Sequence, residues 1–199
     1  MEENTDKAIE GLGKIELYRR IDELLKEKEK VIVALEGGSA GGKTTLGNEL
    51  QQYYGCNVFH MDDFFLRPKQ RTKERFEEPG GNVDRERFYD EVIIPLCKGE
   101  TVEYRRFDCS TFTLQPPVNM EPNRLTIVEG AYSTHPELGK YYDISVFLEI
   151  EREMQKKRIL RRNGSEKAER FFSEWIPMEQ KYFEAFRIKE TCDIIINVS

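Results

Sequence analysis

The stretch that most constrains this chain is Gly37-Gly38-Ser39-Ala40-Gly41-Gly42-Lys43-Thr44, a match to the pattern G-x-x-x-x-G-K-[ST]. Ahead of it stands Val31-Ile32-Val33-Ala34-Leu35, the apolar, β-branched run of a strand buried on both faces. Behind it Leu46, Leu50 and Tyr53 fall on one face of a helix. Strand, glycine loop and helix in this order suit phosphate binding. Glycines reach backbone conformations closed to other residues, so successive N–H groups turn inward, and the helix start near Gly42 adds its positive dipole end. Lys43 is then placed to reach the β- and γ-phosphates, and the Thr44 hydroxyl to ligate Mg²⁺. The expectation is a site for a nucleoside triphosphate with Mg²⁺, built from Gly37, Gly38, Ser39, Ala40, Gly41, Gly42, Lys43, Thr44 and Thr45.

Short apolar runs return at Leu125-Thr126-Ile127-Val128, Ile144-Ser145-Val146-Phe147-Leu148 and Ile194-Ile195-Ile196, with Asn57-Val58-Phe59-His60-Met61 as a weaker fifth. Helical patterns separate them: Phe88, Val92 and Leu96 share a face, and charged helices follow residue 151. This alternation predicts an α/β fold with a five-stranded, mainly parallel sheet and helices on both faces. Leu17, Ile21, Leu24 and Leu25 stand at helical spacing before the first strand, so residues 1–30 read as an amphipathic helix and 31–199 as the nucleotide-binding unit. Residues 62–124 lack a clear central strand and are rich in Pro, Arg, Tyr and Phe, which marks an insertion bearing the substrate site.

Composition narrows the partners. The net charge is −6, which argues against a broad basic surface for duplex nucleic acid. Arg67, Arg71, Arg75, Arg85 and Arg87 lie among Phe64, Phe65, Phe76 and Tyr89, a mixture also found in single-strand grooves, but the overall negative charge disfavours that use. A small-molecule acceptor and ATP are the expected partners, without nucleic acid; a homo-oligomer stays open. Cys56, Cys97, Cys109 and Cys192 form no C-x-x-C pair, so neither a zinc site nor a redox dithiol is indicated. No run approaches the roughly 20 apolar residues of a membrane span. The acidic start Met1-Glu2-Glu3-Asn4 is unlike a signal peptide, so the expectation is a cytoplasmic protein without membrane contact.

Asp62 and Asp63 follow the second strand and Glu129 ends the third, at the carboxyl edge where open α/β sheets bind ligands. Phosphoryl transfer passes through a loose transition state, so a carboxylate beside the acceptor hydroxyl positions it and takes its proton late. Asp62 is assigned that role, with Asp63 a structural or substrate-contacting neighbour. Glu129 is assigned to Mg²⁺, directly or through water, or to the acceptor. After the fourth strand, Arg158, Arg161 and Arg162 share a helix face. They read as a lid over about 152–178, tipped at Asn163-Gly164-Ser165, whose guanidinium groups neutralise the transferring phosphate. A solvated basic face is the other reading of the same residues.

In this order the elements resemble the uridine kinase and phosphoribulokinase-like branch of P-loop kinases. The resemblance rests on Gly37 to Thr45, Asp62-Asp63-Phe64-Phe65, Asn82-Val83-Asp84, Phe107-Asp108, Glu129-Gly130, and Arg158-Ile159-Leu160-Arg161-Arg162 with Pro177 beyond, and spans about residues 31 to 197. It implies a P-loop NTPase fold with a substrate-binding insertion and a short lid. It implies that Asp62 faces the hydroxyl to be phosphorylated, that Asp84 contacts ribose or other substrate hydroxyls, and that Asp108 contacts the acceptor pocket. It further implies a nucleoside-like acceptor, uridine or cytidine, converted to the 5′-monophosphate. The chain departs from uridine kinases at Asp63, where it is closer to nicotinamide riboside kinases. It departs again at Cys109-Ser110-Thr111, where uridine kinases place histidine and arginine against the base. A kinase for nicotinamide riboside, pantothenate or another hydroxylated metabolite is the alternative. A non-catalytic nucleotide-dependent switch or ATPase module is the reading from another class. The N-K-x-D element of a guanine-reading GTPase does not occur.

Overall fold

Val31, Val33 and Leu35 pack with Leu17, Ile21, Leu46 and Leu50, whereas Ile32 joins an opposite core with Phe59, Val128 and Phe147. Successive side chains of a strand point to opposite faces, so a sheet covered on both sides needs apolar residues at every position. The computed structural model describes the backbone of residues 2–198 and the side chains of residues 11–198. Strands β1 (Val31–Gly37), β2 (Asn57–His60), β3 (Leu125–Glu129), β4 (Ile144–Ile150) and β5 (Ile194–Val198) form one sheet in the order β2-β3-β1-β4-β5, every pairing parallel. The five-stranded parallel sheet expected from the sequence is present.

Helix α1 (Glu2–Glu27) and helix α2 (Lys43–Tyr54) cover one face, burying Leu17 and Ile21 from the first and Leu46 and Leu50 from the second. The run expected to end at Met61 stops at His60, because Met61 opens a tight 3₁₀ turn, Met61–Phe64, that carries Asp62 and Asp63. The segment between β2 and β3 supplies half of the buried residues of the other core, Phe64, Phe88, Val92, Leu96 and Tyr104 among them. It contains short helical turns and two small antiparallel ribbons, Val102–Tyr104 with Val118–Met120 and Phe107–Asp108 with Thr113–Leu114.

Helix α3 (Arg152–Arg170) follows β4, and helix α4 (Ile176–Phe186) precedes β5. The path of α3 breaks at Gly164, whose φ of 73° and ψ of 167° are open to glycine and strained for other residues. The expected turn at Asn163-Gly164-Ser165 is therefore a kink between two helical pieces. Between α3 and α4 the backbone widens into a π turn, Phe171–Trp175, just ahead of Pro177. Proline lacks an N–H and its ring crowds the carbonyl of the preceding turn, which accounts for the widening. Among the described residues, no helix is long and apolar enough to cross a membrane.

Candidate active site

A cleft of about 1060 Å³ opens at the carboxyl edge of the sheet. Ser39, Ala40, Gly41, Gly42, Lys43, Thr44 and Thr45 line it, as do Asp62, Glu129, Arg158, Arg161 and Arg162. The fold thus brings together three segments that lie far apart in sequence: the glycine loop, the ends of β2 and β3, and α3.

The loop is shaped by what lies under it. Gly42 has a φ of 90° and precedes α2 without any side-chain cap, so the first turn of that helix begins bare at the cleft. Lys43 folds back, its Nζ donating to the carbonyls of Gly37 at 2.8 Å and Gly38 at 2.9 Å. Gly37 and Gly38 do not line the cleft. A Cβ on Gly38 would lie 2.9 Å from Gln155 Nε2 and 3.4 Å from Glu179 Oε2, so a side chain there would displace two buried groups.

Those two groups were not foreseen from the sequence. Glu179 on α4 accepts from the Ser39 amide at 2.9 Å and from the Ser39 hydroxyl at 2.5 Å. Gln155 on α3 donates to the Ser39 carbonyl at 2.9 Å. Ser39 is thus held on both sides, by residues that flank the arginine-bearing part of α3. Glu36 is a second unforeseen acid. It is fully buried at the end of β1, accepting from the amides of Gly37, Tyr132 and Thr134 and the hydroxyls of Thr134 and Tyr182. Its only sequence signal is a charge ending an apolar strand directly before Gly37.

Thr44 Oγ1 donates to Glu129 Oε1 at 2.9 Å, and the same oxygen meets His60 Nδ1 at 2.5 Å. Burial pushes the Glu129 carboxyl up, but the bond to His60 and the charge of Lys43 outweigh it and hold Glu129 below its ordinary value. Asp62 differs. Its carboxylate opens onto the cleft, yet the surrounding protein raises it above the ordinary value, with Lys43 acting in the opposite direction. The two carboxylates facing the cleft are thus shifted in opposite directions, Glu129 down and Asp62 up.

A hydroxyl and a carboxylate oxygen are hard donors, which suits Mg²⁺. No group of three or more His, Cys, Asp or Glu suited to a metal ion occurs among the described residues. A divalent ion here would be shared between Thr44, Glu129 and phosphate oxygens, as Mg²⁺ commonly is.

Three acids singled out in the sequence do not reach the cleft wall. Asp63 accepts from the Tyr104 hydroxyl at 2.5 Å and from Arg106 Nε at 3.0 Å, tying the insertion to the end of β2. Asp84, expected on substrate hydroxyls, is fully buried; it caps the short helix Arg85–Phe88 and pairs with Arg67 Nε at 3.1 Å and Arg87 Nε at 3.7 Å. Asp108, expected in the acceptor pocket, accepts from the amide and hydroxyl of Ser110, bonds that hold its carboxyl below the ordinary value. Its neighbours Cys109 and Phe112 line the cleft instead, together with Phe65, Arg71, Asn82 and Tyr132.

No family model matches the chain. Over 182 residues it is 26% identical to a uridine kinase of Chloroflexus aurantiacus, covering 83% of this chain and 85% of that one. A phosphoribulokinase of Synechocystis is 26% identical over 133 residues, which is 63% of this chain and 39% of the relative. In fold, it superimposes on a structure described as a possible uridine kinase from Bacillus stearothermophilus with a TM-score of 0.66, at 22% identity, covering 91% of this chain and 99% of that one. A D-glycerate 3-kinase from Cryptococcus neoformans gives a TM-score of 0.58 at 16% identity, covering 85% and 86% of the two chains. With a parallel sheet, a phosphate loop and a strand-end carboxylate facing one cleft, the chain is a P-loop kinase, a phosphotransferase with a hydroxyl acceptor. The curated relatives named above are a uridine kinase and a phosphoribulokinase.

Proposed function

We propose that this protein transfers the γ-phosphoryl group of ATP to a hydroxyl of a small molecule seated against the wall formed by residues 62–124. One observation carries the reading: Asp62, with its raised carboxyl, opens onto the same cleft as the glycine loop and Lys43. The acceptor oxygen attacks the γ-phosphorus as the bond to the β–γ bridging oxygen breaks, ADP leaves, and the hydroxyl proton passes to Asp62. Lys43, released from the Gly37 and Gly38 carbonyls, supplies positive charge to the β- and γ-phosphates. Arg161 and Arg162 approach from α3 as the lid closes and exclude water from the transferring group, while Arg158 borders the loop at Ala40. Mg²⁺, when bound at Thr44 and Glu129, would neutralise phosphate charge.

Uridine and cytidine are acceptors to be tried first, because relatives carry the name uridine kinase. The ribose contact expected of Asp84 does not support them, since that carboxylate is taken up by Arg67 and Arg87. The test is ATP consumption by the purified protein against a panel of hydroxylated acceptors, with products identified by mass. Turnover near zero alone and rising sharply with one acceptor, and abolished in Lys43→Ala, is the expected result. Steady hydrolysis indifferent to every acceptor would instead indicate an ATPase module or switch.

A further inference from the structure

Between residues 63 and 123 the chain carries seven arginines. Six are committed to carboxylates: Arg67 to Asp84, Arg75 to Glu86, Arg85 to Glu137, Arg87 and Arg105 to Glu91, and Arg106 to Asp63. Arg71 is different. It has no carboxylate partner among the described residues, and it is the one of the seven that lines the cleft. Its Nε donates to the Leu66 carbonyl at 3.1 Å and its guanidinium lies 5.2 Å from the centre of the Phe112 ring. These two contacts fix the head group and leave both Nη nitrogens without a bond to the described residues.

Phe112 is held at a φ of 56°, an uncommon conformation for a bulky residue, with its ring half exposed over the cleft. Cys109, three residues before Phe112, lines the same cleft as Arg71 and Asp62. A second, independent feature marks the same wall. Asn82 Oδ1 is shut off from solvent and makes no hydrogen bond, on a residue that lines the cleft near the Tyr132 phenol. A buried acceptor oxygen without a donor is costly, and a substrate hydroxyl would satisfy it.

The phosphates of ATP account for Lys43, Arg158, Arg161 and Arg162, which come from the loop and α3. They do not call for a further cation on the opposite wall, contributed by the insertion. Resting on the kinase reading above, we infer that the acceptor is a small hydroxylated anion, a hydroxy acid or a sugar phosphate. Its carboxylate or phosphate lies on Arg71 beside Phe112, one hydroxyl donates to Asn82 Oδ1, and another faces Asp62. Guanidinium groups suit both kinds of anion, because their planar edge gives two parallel N–H donors.

The experiment uses acceptors matched in skeleton and differing in charge: gluconate against sorbitol, glycerate against glycerol, ribose 5-phosphate against ribose, with uridine and cytidine as neutral nucleosides. The expected result is kcat/KM for one anion at least about 100-fold above its neutral partner, with the hydroxy-acid and sugar-phosphate arms separating the two sources of charge. Arg71→Met should raise KM for that anion about 10- to 100-fold and leave KM for ATP within about twofold. The inference is overturned if a neutral nucleoside is the best acceptor, if Arg71→Met leaves the preference for charge unchanged, or if it acts on ATP instead. Binding of the same panel is measured by calorimetry with a non-hydrolysable ATP analogue, a readout independent of transfer. If no acceptor turns over, the kinase reading fails. Salt-sensitive anion binding lost in Arg71→Met would still uphold the subsite, and absence of anion binding would overturn it.

Discussion

Glu179 and Ser39 lie 140 residues apart in sequence, and one carboxylate receives both the amide and the hydroxyl of that serine. The contact joins α4 to the loop that must cradle phosphate. Burial pushes the Glu179 carboxyl up, with Lys43 and the Ser39 bonds acting against it.

Removing that carboxylate should cost stability. Glu179→Ala leaves a buried amide and hydroxyl of Ser39 without their acceptor, a loss of about 1–3 kcal/mol, while Glu179→Gln keeps one acceptor oxygen and should lose less. Urea unfolding checks this as a lower midpoint at unchanged slope. An alanine variant as stable as the parent would mean the bonds contribute nothing net.

Asp62→Asn should lower kcat about 100-fold or more with little change in ATP affinity, because the lost group acts on the acceptor. Its raised carboxyl also sets a pH dependence. The base works only when ionised, so activity should fall as pH drops through a value above the ordinary 3.8, and that acid limb should vanish in the asparagine variant. A limb that persists in Asp62→Asn belongs to another group.

On the proposed lid role, in which these charges meet the phosphoryl group during transfer, Arg161→Ala and Arg162→Ala should each reduce kcat at least about tenfold while changing KM for ATP less. Arg162 also rests 5.5 Å from the centre of the Phe171 ring, which limits its rotamers before closure. Unchanged kinetics in both variants would assign the arginines to a solvated surface.

His135 provides a test of folding linkage away from the cleft. Burial holds this imidazole below its ordinary value, its Nδ1 accepting from the Glu137 amide and its ring stacked on Tyr182. Between the depressed folded value and about 6.5, the unfolded chain takes up a proton that the folded chain does not. Stability should therefore decline as pH falls through that window, and His135→Asn should flatten the decline. Parallel pH–stability curves for parent and variant would contradict this.

The strands were legible because burial on both faces leaves no room for polar residues, and the loop because phosphate geometry dictates its glycines. The place of Asp62 and Glu129 at the carboxyl edge was legible from the apolar runs before them, and both line the cleft. Asp84 was not: an acid that caps a helix and one that grips a sugar look alike in sequence, and only its pairing with Arg67 and Arg87 separates them. Arg71 was hidden for the same reason, since an arginine stands out only once folding has given its neighbours their partners. Glu179 carried no local signal, because its meaning depends on a serine at the other end of the chain.

The segment between β2 and β3 leaves the sheet on one strand and returns on its immediate neighbour. Because these strands run parallel, the segment starts at their carboxyl edge and ends at the opposite edge, and on the way it buries Phe64, Phe88 and Val92 in one core with Ile32 of β1 and Phe147 of β4. A change of acceptor made through residues 63–123, on the function proposed above, would therefore have to be matched beneath the sheet as well, at Ile32, Val128 and Phe147.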